Sequence, residues 1–196
     1  MMEASMKARL SVFALVLVLA LGSNAFADPV NYSAVLSGLN EDPINASPGT
    51  GWAFVSIDTI GHTLFVQASF SGLLGPTTAS HIHCCTLTPG AGNAVVATQT
   101  PSFIGFPLGV TAGNFSNLYN TLDAATYRAG FISANGGTPA SAEAALALGL
   151  AEGKAYFNIH SQVFPGGEIR GFLVPAPEPA SILLLGVGLA GLVGIG

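Results

Sequence analysis

The stretch from Ala155 to Gly171 constrains this chain more tightly than any other. Ala155, Phe157 and Ile159 alternate with Tyr156, Asn158 and His160, the period-2 pattern of a strand with two unlike faces. Pro165-Gly166-Gly167 then supplies a fixed φ followed by residues free to take φ > 0, as a sharp reversal requires. The return run sets Ile169, Gly171 and Leu173 on one face and Glu168, Arg170 and Phe172 on the other. A histidine, a glutamate and an arginine are therefore carried on one predicted β-hairpin.

The same period recurs upstream. Val30 to Ser37 alternates. After a loop broken by Pro43, Pro48 and Gly49, the run Gly51 to Asp58 sets Trp52 and Phe54 against Ala53, Val55 and Ile57. Thr59 to His62 turns the chain. Leu64, Val66, Ala68 and Phe70 then alternate with Phe65, Gln67 and Ser69, the expected hairpin partner. Ala79 to Cys85 is expected as a short strand. Residues 86–115 hold many prolines and glycines and read as short strands and loops. Thr121 to Tyr127 can start a helical turn. Ser141 to Gly153 is the better helix, with Ser141 as its cap and Gly149 and Gly153 limiting its end. These elements predict an all-β fold, an antiparallel β-sandwich with one or two short helices in its crossovers.

The two ends differ from the middle. A short basic segment, Met6-Lys7-Ala8-Arg9, precedes an apolar run from Leu10 to Leu21. Ala25-Phe26-Ala27 then gives a small-x-small site, so residues 1–27 read as a secretory signal peptide cleaved after Ala27. A true membrane span would need an apolar core of about 20 residues. Residues 28–176 form one domain, large enough to bury a core. The domain carries three basic residues, Arg128, Lys154 and Arg170, against eight acidic ones. Phosphate backbones are held by clustered Lys and Arg, so no nucleic-acid partner is expected. Beyond Val174 a Pro-rich break leads into an uncharged, largely apolar run from Ile182 to Gly196.

Three motifs carry a family resemblance. Tyr32-Ser33-Ala34-Val35-Leu36-Ser37-Gly38 with Asn40-Glu41-Asp42-Pro43, the "ASHIHCC" element at Ala79 to Cys85, and "AYFNIHSQVFPGGEIRGFL" are similar to the opening, centre and close of the CHRD domain. The resemblance runs from about Val30 to Val174 and implies a secreted β-sandwich module without a defined chemistry. Residues 177–196 resemble a PEP-CTERM sorting signal, with Pro177, Glu178 and Pro179 as its motif. That resemblance implies recognition by an exosortase-type membrane protease, transient anchoring by the tail, and routing to the cell surface or exopolysaccharide matrix. The tail departs from the usual pattern in ending at Gly194-Ile195-Gly196 without Lys or Arg. A plain C-terminal membrane anchor is the competing expectation.

Three of the four histidines sit in the two strongest motifs. His81 and His83, two apart on a strand, face the same side, and His160 ends the strand before the closing turn. If the strands are neighbours, three imidazoles converge, a set suited to copper or zinc. These patterns also resemble copper–zinc superoxide dismutases, implying Greek-key character, copper at His81, His83 and His160, and an anion-guiding role for Arg170. No histidine supplies a bridging ligand and the zinc-loop ligands are missing, so the resemblance extends only to a mononuclear copper site. The structural alternative has the three histidines hydrogen-bonded to backbone carbonyls or to Glu168. His62, alone in a turn, reads as an ordinary polar residue.

Cys84 and Cys85 are adjacent, and in an exported protein a vicinal disulfide is the first expectation. A redox pair is the second. Cys85 as a soft Cu(I) ligand is the third, because it shares the parity of His81 and His83 if the strand stays regular. Glu168 and Arg170 share a face and are expected to form an ion pair with each other or with a neighbouring strand. No Ser/His/Asp set can be placed, and no second acid pairs with Glu168 for sugar hydrolysis. The sequence therefore favours a non-enzymatic surface or matrix module with no certain cofactor, and a mononuclear copper-binding or copper-redox protein as its rival.

Overall fold

The link between the third and fourth strands fixes the shape of the sheet. A computed structural model describes residues 29–177. Its strands are β1 (Val30–Ser37), β2 (Thr50–Asp58), β3 (Thr63–Ser71), β4 (Thr77–His83), β5 (Gly113–Asn120), β6 (Tyr156–Ser161), β7 (Ile169–Phe172) and β8 (Val174–Pro175). They form one antiparallel sheet in the order β4-β6-β7-β1-β2-β3-β5, with β8 also paired to β1. β3 and β4 thus lie five strand spacings apart, roughly 24 Å across a flat sheet. Only residues 72–76 join them, and such a link reaches about 20 Å when fully extended. The sheet must curl, and its two halves enclose one core.

The predicted all-β class and antiparallel pairing hold. Ala53, Val55 and Ile57 of β2 and Leu64, Val66, Ala68 and Phe70 of β3 are buried, on the face that their alternation assigns. They meet Ile82, Phe157, Ile159 and Ile169 from the other half in one cluster. The long loop between β4 and β5 contributes Phe103, which packs its ring against Phe157, Phe115 and Tyr119. Phe106 stacks on Phe70 in the same way. The loop is therefore part of the core as well as a connection.

Four expectations change. β4 ends at His83, two residues short of Cys85. Gly113–Asn120, which carries no strong strand signal, pairs with β3 along eight residues. Phe115 and Tyr119 supply its buried side, while Asn, Ser, Gly113 and the exposed Leu118 make up the rest. Thr121 to Tyr127 gives only a 3-10 turn at Ala124–Thr126, capped by Asp123, and a short helix α1 follows at Ala129–Ala134. The main helix, α2, starts earlier than expected, at Pro139, and ends at Ala151. Thr138 is its cap, Pro139 takes a first-turn position where no N–H is needed, and Ser141 closes the reciprocal capping bonds with Thr138.

α2 is fastened to the sheet at two points. Glu143, buried, is bonded to the hydroxyl of Thr121 and to His62 Nδ1 in the β2–β3 turn. Six residues on, Gly149 lies against Cys84 and Cys85, which are joined by a disulfide. A Cβ at Gly149 would overlap both sulfurs. Alanine in place of a helical glycine ordinarily stabilises by up to about 1 kcal/mol. Gly149→Ala is expected to reverse that sign and destabilise by roughly 1–3 kcal/mol through overpacking. Urea denaturation of the variant beside the parent chain checks it; a gain in stability would mean that the helix does not rest on the disulfide.

Candidate metal centre

β6 pairs with β4 on one side and with β7 on the other, and both of its faces are buried. Phe157 and Ile159 point into the apolar core. On the opposite face, register sets His81 of β4 across from Asn158 and His83 across from Tyr156. Asn158 and Tyr156 in turn face Arg170 and Phe172 of β7. A second, polar layer is thus built on the back of the core strands. It is roofed by the β4–β5 loop and by residues 40–45.

His81, His83 and His160 meet in this layer. Their ring centroids form a near-regular triangle with sides of 5.2, 5.8 and 5.8 Å. One nitrogen from each ring lies within 4.8 Å of the other two. His81 and His83 are buried and His160 is partly exposed.

The hydrogen bonds decide which nitrogen each ring offers. His81 Nε2 lies 2.8 Å from Pro101 O, His83 Nδ1 2.9 Å from Ala94 O, and His160 Nδ1 3.0 Å from Pro165 O. A carbonyl only accepts, so each of these nitrogens carries the proton. The remaining nitrogens, His81 Nδ1, His83 Nε2 and His160 Nε2, carry lone pairs. His83 Nε2 is buried and has no partner among the described residues. His81 Nδ1 and His160 Nε2 stand 3.3 Å apart. With both lone pairs inward, that contact is repulsive unless a cation lies between them. Two nitrogens bound tetrahedrally to one copper or zinc ion would be separated by roughly 3.3 Å, given metal–nitrogen bonds near 2.0–2.1 Å.

Charge points the same way. Burial, followed by the neighbouring His160, pushes the His81 imidazole down to about 4. Burial likewise brings His83 down to about 4, partly offset by its bond to Ala94, and lowers His160. All three rings are neutral near pH 7, the form that ligates a metal. Their outer N–H groups are already held by carbonyls, the arrangement that fixes tautomer and ring plane in metal sites. Tyr156 braces the group from the side, stacked on His83 at 4.8 Å and 8°.

The other candidate residues lie elsewhere. Cys85 does not join the histidines: β4 ends before it, its sulfur is bonded to Cys84, and it rests near Ala145 O on α2. Arg170 is not an exposed anion guide. Its guanidinium is buried 4.7 Å over the Tyr156 ring and donates to Asn40 O and Asn93 Oδ1. Nor does Arg170 pair with Glu168; its nearest carboxylate is Glu41, at 3.9 Å. Glu168 is wholly buried among neutral donors, the Ser47 hydroxyl and the amides of Leu74 and Gly75. Burial alone would raise its carboxyl, but hydrogen bonds from Ser161, Ser47 and those amides outweigh it and hold the group low. Pro177 is exposed, while Glu178, Pro179 and residues 1–27, expected from the sequence as a signal peptide, lie outside the described residues. No helix among the described residues is long and apolar enough to cross a membrane.

The sequence missed the orienting groups. Ala94, Pro101 and Pro165 act through backbone carbonyls, which leave no trace in residue type. Tyr156 and Glu41 were legible only as strand and loop residues.

The depressed histidines set a pH dependence for the metal-free domain. Between pH 6.5 and about 4 the unfolded chain binds more protons at His81 and His83 than the folded one, and the lowered His160 adds in the same direction, so stability falls as pH falls through that window. Glu41, raised to about 7 by burial against the lowering effect of Arg170, works in the opposite direction between 4.5 and 7. Three sites against one leave the histidines dominant. Urea midpoints measured from pH 7 to pH 4 should decline, and less steeply in a His83→Phe variant.

The CHRD domain family matches residues 32–173. No curated protein and no solved structure matches the chain.

Proposed function

The chain belongs to the CHRD family, and we propose that it is an exported surface or extracellular-matrix module whose domain holds one copper ion between His81, His83 and His160. The role is binding, not catalysis. One observation carries the copper: three lone-pair nitrogens converge while each ring's other nitrogen donates to a backbone carbonyl. Structural histidines need one satisfied nitrogen, and nothing in that role requires three acceptors to face one another. Neutral imidazoles without a carboxylate suit copper and zinc, and copper(II) stands above zinc in the order of divalent affinities.

Export rests on the sequence, through the signal-peptide pattern of residues 1–27. The tail from Pro177 supports sorting by an exosortase-type protease toward the cell envelope or exopolysaccharide. In that setting the domain would place a copper ion at the cell surface or within the matrix.

The test is metal content of the exported chain after incubation with Cu(II) or Zn(II) and desalting, beside a His160→Ala variant. One copper per chain is expected, with affinity in the variant lower by at least about tenfold. Copper at a hundredfold excess over its dissociation constant should also stabilise the fold by about 2.7 kcal/mol. No retained metal in the parent chain would leave the three histidines structural.

A further inference from the structure

The outward face of β1, β2, β3 and β5 carries an aromatic platform. The alternation that sends Ala53, Val55 and Val66 into the core turns Trp52, Phe54 and Phe65 outward, and all three are at least partly exposed. Trp52 and Phe54, two residues apart, stand about 7 Å from one another along β2. Phe65 meets the Phe54 ring edge-on, with centroids 6.3 Å apart. A groove of about 390 Å³ lies beside them over β1. Ser33 and Val35 form its floor, Trp52 and Phe54 one wall, and Phe172 and Val174 the other.

Charge and hydrogen-bonding capacity narrow the occupant. Asp58 is the only charged residue of these four strands. It ends β2, four residues from Phe54, and its carboxylate already accepts from the amides of Ile60 and Gly61. An anionic partner, a nucleic acid included, finds no cation on these strands, and a cationic one finds no free carboxylate. A dry apolar partner is disfavoured too. Ser33, Gln67 and Ser116 share the cross-strand row of Phe54, Ser69 and Asn114 share that of Trp52, and all five are at least partly exposed. An acyl chain or an apolar protein surface laid over them strips water from amides and hydroxyls without returning hydrogen bonds. A sugar chain meets both demands. The C–H faces of its rings stack on aromatic side chains, and its hydroxyls bond with the amides and hydroxyls alongside. Trp52 and Phe54 project from one strand to the same side. They therefore match a chain whose rings lie in one flat ribbon, as equatorial β-1,4 linkages produce, better than a coiled α-linked one.

We propose that this face binds a neutral β-1,4-linked polysaccharide, with sugar rings stacked on Trp52 and Phe54 and hydroxyls bonded by Ser33 and Gln67. None of the groove's residues belongs to the imidazole triangle, so the site stands whether or not copper is held there. It gives the surface or matrix module a ligand class.

Trp52 is the chain's only tryptophan, so its emission reads the groove directly. The experiment titrates the exported chain, without added metal, with cellohexaose, following Trp52 emission and calorimetric heat. Maltohexaose is the control for shape and hexagalacturonate the control for charge. Cellohexaose should move the emission to shorter wavelength and saturate below about 10 mM, with both controls weaker by about tenfold or more. Trp52 is 44% exposed, so Trp52→Ala should keep the parent's circular dichroism while calorimetric affinity falls by about tenfold or more. Gln67→Ala, a second surface variant, should lose about threefold. Emission and heat unchanged by cellohexaose, equal binding of either control, or unweakened binding by Trp52→Ala overturns the proposal. Self-association that shifts Trp52 emission without sugar assigns the face to a second copy and overturns it as well.

Discussion

The placement of β6 between β4 and β7, with both of its faces covered, is the constraint on which the rest of the structure depends. A half-buried strand needs only one apolar face. β6 needs two different solutions. Phe157 and Ile159 meet that requirement on one side by joining Ile82, Ile169 and the stacked ring of Phe103. On the other side the chain places Tyr156, Asn158 and His160, and every buried polar atom there demands a partner. The β4–β5 loop answers much of that demand. It folds over the polar face and presents Ala94 O, Pro101 O and Asn93 Oδ1 to His83, His81 and Arg170 in turn.

That roof, together with Pro165 O of the closing turn, explains how two buried imidazoles and a partly exposed third coexist. Each one donates to a main-chain carbonyl and so sits in a defined tautomer, and desolvation keeps all three neutral. Among the described residues no group donates to the inward nitrogens. A layer whose imidazoles are each held from outside, yet left with lone pairs at its centre, has the donor geometry that the proposed copper ion would use. The two structural alternatives posed by the sequence, carbonyl-bonded histidines and metal ligands, describe opposite nitrogens of the same rings.

Much of this was legible in the sequence, in proportion to how far each side chain's role depends on its own strand. Period-2 alternation located β1, β2, β3, β6 and β7, because burying one face leaves an unmistakable pattern in Val55, Val66 or Phe157. The i, i+2 spacing of His81 and His83 placed them on one side for the same reason. β5 escaped because its strand character comes from pairing with β3; Asn114, Ser116, Asn117 and Asn120 have little strand preference of their own. Parity failed at Cys85, where β4 had already ended, and at Glu168 and Arg170, whose shared face proved buried. There each charge took a separate partner set, neutral donors for Glu168 and loop groups for Arg170, instead of the neighbour that a solvated face would offer.

The closing turn joins these parts mechanically. Residues 161–167 are held internally by Ser161 N to Phe164 O, Gly167 N to Phe164 O and Phe164 N to Ser161 Oγ. From outside, Gln162 N donates to Pro76 O, and Asn45 donates to the carbonyls of Gly167 and Glu168. Glu168, at the far end, gathers Ser47, Leu74 and Gly75. The turn therefore couples the short β3–β4 link that enforces the curl to the ring of His160, whose Nδ1–H it receives at Pro165 O. Rigid support of this kind removes the ordering cost that a mobile ligand would add on binding. His160 is the least buried of the three imidazoles, and its orientation is secured by a turn that is bonded both internally and to the 45–47 and 74–76 segments.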